Sequence, residues 1–141
     1  MEKLEKTFVL LKPSCIERGF IGEVITRFEK KGFAIKGLKM LEMKREMAER
    51  LYEVHKGKEF YDKLIKTVTG RRVVAILLEG RNAVTVVRKM VGATDPANAE
   101  PGTIRGDLGL DVTDNIIHAS DSVESFQREA RIFFEESEIL C

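Results

Sequence analysis

The chain has no tryptophan and, among its 141 residues, only two cysteines, two histidines and three prolines. Its charge also nearly vanishes, because 24 basic residues face 23 acidic ones and leave +1. Each shortage excludes something. Cys15 and Cys141 are too few for a disulfide scaffold. With no global basic field, net charge implies no nucleic-acid partner, although local basic residues can still bind a small anion. The longest apolar runs are too short to span a bilayer. The charged segment 1–6 leads straight into a strand, so no signal peptide is expected there. The expectation is a soluble cytoplasmic protein without membrane contact, and one domain over 1–141 with room for a real core.

What is present is a regular alternation of elements. Lys6-Thr-Phe-Val-Leu-Leu-Lys12 reads as a buried strand stopped by Pro13. Residues 20–31 carry Phe20, Ile21, Val24, Ile25 and Phe28 on one helical face and end at Gly32. A second strand spans 33–43, two short helices fill 45–55 and 59–69, and a central strand covers 73–78. Asn82 is expected to cap a helix to about Met90. A loop over 92–114, a short strand at 116–118 and a helix to about Phe134, capped by Ser120 or Ser122, complete the pattern. This order predicts an α+β fold, a ferredoxin-like βαββαβ antiparallel sheet with helices on its surface and extra short helices.

With histidine so scarce, the placement of His118 carries weight. It ends a short apolar run, and Ser120, Asp121 and Ser122 lead from it into a helix. An imidazole at a strand end beside a helix N-terminus can handle an anion such as a phosphate. Taken alone, it reads better as a satisfied strand-end histidine. Upstream, Arg88 and Thr94 flank a helix end, and Arg105 follows Pro101-Gly-Thr. Arginine presents a permanently charged fork suited to phosphate oxygens. Singly, Arg88 is a solvated helix face and Arg105 a loop charge, but their joint approach to His118 favours the phosphate reading. Lys12 stands at the mouth of the first strand. Phe60 reads on pattern as core, or else as a surface on which a base stacks.

Five segments together resemble the nucleoside diphosphate kinase family. They are Thr7-Phe-Val-Leu-Leu-Lys-Pro13, His55-Lys-Gly-Lys-Glu-Phe-Tyr61, Gly92-Ala-Thr94, Pro101-Gly-Thr-Ile-Arg-Gly-Asp107 and Asn115-Ile-Ile-His-Ala-Ser-Asp-Ser-Val-Glu124. The resemblance runs in order along nearly the whole chain. It implies transfer of the terminal phosphoryl group of a nucleoside triphosphate to a nucleoside diphosphate by a ping-pong route, with little base specificity. By the same resemblance, His118 would be the nucleophile and carry phosphohistidine. Glu129 would hold its other ring nitrogen, assisted by Ser120. Lys12, Tyr52, Arg88, Thr94 and Arg105 would bind phosphates. Asn115, with Lys12, would reach the ribose. Phe60 and Leu64 would sandwich the base, with Val112 beside them. Magnesium would ride on the nucleotide phosphates and not in a dedicated protein site. The family resemblance further implies a homo-oligomer, a hexamer before a tetramer, because the 94–105 loop with Pro96 resembles the loop that joins subunits in hexameric relatives.

The family pattern is departed from at three places. Ala119 stands where glycine is common, Ser14-Cys15 where Asp-Ala or Asp-Gly is common, and Asp114 where a basic residue is frequent. Ala119 is expected to keep a negative φ as the strand continues through it. The chain also stops at Cys141, short of the longer tail that helps hold subunits together in some relatives. An RNA-binding module is disfavoured, because the strands show no RNP-type aromatic pattern. A non-catalytic scaffold is disfavoured by the presence of His118, Arg105 and Lys12. A phosphocarrier would not need Phe60 or a triphosphate clamp.

Overall fold

The computed structural model describes residues 4–140. Strand β1 (Leu4–Leu11) is central because five successive residues, Thr7 to Leu11, are all buried. A strand covered on both faces needs no polar alternation. It pairs antiparallel with β3 (Arg72–Arg81) on one side and β4 (Ile117–Ala119) on the other. Strand β2 (Ala34–Glu42) pairs antiparallel with β3 and forms one edge, so the sheet order is β2-β3-β1-β4. This is the ferredoxin-like α+β arrangement expected from the sequence.

Helices cover both faces. Val9, Leu11, Val74, Ile76 and Leu78 pack against α2 (Ile21–Lys31) and α5 (Ala83–Val91), with Val24, Phe28, Val87 and Val91 between them. On the other face, Phe8, Leu10, Val73, Ala75 and Leu77 meet α3 (Arg45–Leu51), α4 (Tyr61–Val68) and α7 (Val123–Phe133). Phe8 stacks on Phe133 with ring centroids 5.2 Å apart, which anchors α7 to the sheet.

Local expectations fare unevenly. Gly32 closes α2 at φ 109, as a left-handed helix stop should. Ser122, and not Ser120, caps α7, accepting from the Ser125 amide at 3.0 Å. Asn82 makes no side-chain cap and sits at φ 49, so its contribution is a left-handed backbone turn. Two short helices arise where none was expected. Helix α1 (Pro13–Glu17) follows β1 directly, its proline at the first helical position where a missing N–H is tolerated. Helix α6 (Ile104–Leu108) lies inside the 92–114 loop, capped by Thr103 Oγ1 on the Gly106 amide at 3.0 Å. A 3-10 turn at Pro96–Asn98 precedes it.

Candidate active site

Residues near the end of β1, the segment entering β4, and helices α3 to α7 line a cavity of about 490 Å³. His118 stands in its wall, placed there by the pairing of β4 with β1, which sets it opposite Leu10. Its Nε2 lies 2.9 Å from Glu129 Oε1 on α7. Glu129 is buried and accepts also from Ser120 Oγ at 2.7 Å and from Arg128 Nη2 at 3.3 Å. Burial alone would raise the Glu129 carboxyl, but the hydrogen bonds from His118 and Ser120 and the charges of His118 and Arg128 outweigh it and hold the group below its usual range. An ionised Glu129 needs a donor opposite, so Nε2 carries the ring proton. Nδ1 is left as the nitrogen with the free lone pair.

Four cations line the same space: Lys12, Arg88, Arg105 and Arg128. Lys12 is buried and donates to Asn115 Oδ1 at 2.8 Å and to the Thr113 carbonyl at 3.3 Å. Burial and the nearby Arg105 bring its ammonium down to about 7, against the opposing pull of Asp114 and Asp111. Arg105 is tied down more than a loop arginine would be. Its three nitrogens donate to the carbonyls of Asn115 (3.4 Å), Gly92 (3.0 Å) and Ile117 (2.6 Å). Burial and Arg88 lower it to about 10. Arg88 donates to the Ala119 carbonyl at 3.1 Å. Both arginines therefore brace the strand that holds His118 while their charge faces the cavity.

The loop around α6 explains its glycines. Gly92 sits at φ 91, and a Cβ there would fall 2.5 Å from Thr103 Oγ1. At Gly106 a Cβ would collide with the Glu100 carbonyl. Both glycines let the 92–106 backbone close on itself, which sets Arg105 at the cavity.

The remaining expected residues occupy two zones. Asn115 has both ends of its amide engaged, accepting from Lys12 and donating to the Thr94 carbonyl at 2.7 Å. Tyr52 is buried, and its hydroxyl has no hydrogen-bond partner among the described residues. Phe60, Leu64 and Val112 form the apolar mouth, with Phe60 and Val112 about half exposed. Ser120 does not line the cavity and lies buried behind Glu129. Sequence reasoning missed Arg128 and His55. Arg128 looks like one more helix-surface arginine, but it adjoins Glu129 and α7 turns it inward. His55 lies 5.2 Å from the Phe60 ring and is lowered by burial and by Lys58. It stands within a segment already singled out, so it could have been named.

Ala119 pairs with Val9 in β4 and is not among the residues with positive φ, which agrees with the expectation. The left-handed residue in this segment is instead Ile116, at φ 76. A β-branched side chain rarely adopts that conformation. The two other departures from the family pattern also meet, since Ser14 and Asp114 are hydrogen-bonded to each other.

A cationic cavity beside a carboxylate-held imidazole suits phosphoryl transfer, where positioning and charge stabilisation dominate. The family profile described as nucleoside diphosphate kinase matches residues 5–139, and the chain belongs to that family of phosphotransferases. The nucleoside diphosphate kinase of Methanocaldococcus jannaschii is 58% identical over 135 residues, covering 96% of each chain. That of Pyrococcus furiosus is 56% identical over 142 residues, covering 99% of this chain and 88% of its own. The Halobacterium salinarum enzyme, solved with CDP, matches at TM-score 0.95 and 40% identity, over 99% of this chain and 93% of that one. A transition-state mimic of the Borrelia burgdorferi enzyme, with vanadate and ADP, matches at TM-score 0.92 and 35% identity, over 98% and 91%.

Proposed function

We propose that the protein transfers the terminal phosphoryl group of a nucleoside triphosphate to a nucleoside diphosphate in two displacements through His118. The observation that carries this reading is the 2.9 Å bond from His118 Nε2 to Glu129, set beside the cationic cavity. In the first displacement the Nδ1 lone pair attacks the terminal phosphorus. The bond from that phosphorus to its bridging oxygen breaks, and the diphosphate leaves with the electron pair. The phosphorylated ring is cationic, and Glu129 stabilises the Nε2–H that now bears that charge. In the second displacement a β-phosphate oxygen of the acceptor attacks the same phosphorus, and neutral His118 is restored.

Lys12, Arg88, Arg105 and the Tyr52 hydroxyl surround the phosphates. An orphan buried hydroxyl is costly until a ligand satisfies it, and a phosphate oxygen would do so. The Asn115 and Thr94 pair closes the ribose and phosphate side, while Phe60, Leu64 and Val112 hold the base by stacking and contact. Among the described residues no group of three or more His, Cys, Asp or Glu is placed to hold a metal ion. Magnesium would arrive on the nucleotide phosphates, and Asp121, which lines the cavity, would meet it only through water. When bound, the ion neutralises phosphate charge.

We also read the protein as a cytoplasmic homo-oligomer, a hexamer rather than a tetramer. Among the described residues no helix is long and apolar enough to cross a membrane. Sedimentation equilibrium tests the oligomer. For the reaction, initial-velocity patterns with two nucleotides should give parallel double-reciprocal lines, and intersecting lines would overturn the two-displacement route.

A further inference from the structure

The segment that follows β1 and the turn that precedes β4 are laced together residue by residue. The Lys12 amide donates to the Ile116 carbonyl at 2.8 Å. The Ile116 amide donates to Ser14 Oγ at 3.2 Å, and Ser14 Oγ donates in turn to the Asp114 carbonyl at 3.1 Å. The Ser14 amide donates to Asp114 Oδ1 at 3.2 Å. Asp114 Oδ2 accepts from Arg71 Nη1 at 3.3 Å, and Arg71 is itself held on Glu17 of α1, with Nη2 2.8 Å from Oε1. Asn115 lies between the two laced residues, and its Oδ1 receives the Lys12 ammonium at 2.8 Å.

The lacing has a purpose that packing does not supply. Ile116 is left-handed at φ 76, a conformation that persists only where its surroundings over-determine it. Releasing that turn would swing Asn115 off Lys12. The Asp114 side chain is mostly covered, so its charge is little screened by solvent. The neighbours that face Lys12 divide unevenly. Arg105 opposes its charge, His55 adds to that opposition when protonated, Asp114 and Asp111 favour it, and the Tyr52 ring lies 6.0 Å from its nitrogen.

We propose that Asp114 is a positioning residue: seated by Ser14 and Arg71, it holds the turn that presents Asn115 to Lys12, and it keeps a negative charge beside the Lys12 ammonium. Its relevance to catalysis rests on the reading of Lys12 as a phosphate ligand. The placement also accounts for the poise of Lys12 at about 7, which burial and Arg105 would otherwise drive lower.

The test is direct titration of Lys12 in the ligand-free protein, by NMR of its 13C-labelled Cε. Two charge-neutral variants are compared with the parent. Asp114→Asn keeps an acceptor for the Ser14 amide, and Asp114→Ser provides a second route should the first fold poorly. The Lys12 midpoint is expected to fall by about one unit in either, the size of one nearby charge at intermediate dielectric. The alkaline limb of kcat/KM should move to lower pH by the same amount, about a tenfold loss one unit above the limb. A midpoint unmoved in the folded variants overturns the proposal. A midpoint that moves while the kcat/KM limb stays supports the role of Asp114 and overturns the phosphate role of Lys12.

Discussion

At the residue scale, the site depends on groups that serve two purposes. Arg105 was expected as a phosphate ligand, and its three carbonyl bonds make it a brace for β4 as well. Arg105→Ala should therefore lower kcat by roughly a hundredfold or more, as loss of a preorganised donor does. It should also lower stability by about 2–3 kcal/mol, because buried carbonyls lose their partner. A change confined to KM, with kcat intact, would show that Arg105 supplies only uniform binding.

Lys12 gives a sharper test through pH. Its folded midpoint is about 7 against 10.5 unperturbed, so between these values the unfolded chain holds the extra proton. This group alone then makes stability rise with pH across that window. Free-enzyme kcat/KM should fall across the same window, as Lys12 loses the charge that meets phosphate. Denaturant unfolding and kinetics measured from pH 6.5 to 9 should thus slope in opposite directions. Parallel slopes would contradict the placement of Lys12. Ala119→Gly, by contrast, should leave kcat/KM within about threefold, since the backbone there is extended and no special φ is required.

At the scale of elements, two features position the chemistry. Ser122 caps α7, the helix that carries Glu129. Ser122→Ala should cost about 1 kcal/mol in thermal or denaturant unfolding, the usual worth of such a cap, with kcat little changed. Gly106 accommodates the Glu100 carbonyl inside the turn that seats Arg105. Gly106→Ala should push that turn open and reduce kcat/KM by tenfold or more, and an unaffected enzyme would mean the loop tolerates a methyl.

The long elements were legible because burial imposes a pattern. Continuous apolar runs marked β1 and β3, and one apolar face with a terminal glycine marked α2. The short ones were not. Helices α1 and α6 have five residues each, too few for periodicity to show, and they exist through caps and tertiary contacts. Asn82 looked like a side-chain cap, yet its left-handed backbone is what the turn requires. No local pattern marks Ile116 as left-handed either, because that conformation is held by Ser14, far away in sequence.

At the scale of the whole molecule, the sheet order brings β1 and β4 side by side, and so joins Lys12 to the segment before His118. Family motifs had indicated these residues, but their hydrogen bonds could not be read from spacing. Arg128 and the Ser14–Asp114 link appear only once α7 and β4 are packed. Phe60, Leu64 and Val112 form the apolar mouth of the cavity, where the proposed function places the base. Purine and pyrimidine diphosphates, ribo and deoxy, should therefore all be phosphorylated, purines better because they stack more area. Preference for one nucleotide by more than about a thousandfold, ~4 kcal/mol, would require hydrogen-bond readout of the base edge.

The central claim is that the phosphoryl group rests on His118 between two nucleotides. The most direct measurement is incubation with γ-labelled ATP and magnesium, removal of free nucleotide, and addition of an unlabelled diphosphate. The protein should take up an acid-labile label at His118 and release all of it to the added diphosphate as triphosphate, while His118→Ala neither labels nor turns over but still binds nucleotide. A label carried elsewhere on the chain, or substantial transfer by the His118→Ala protein, would contradict the account.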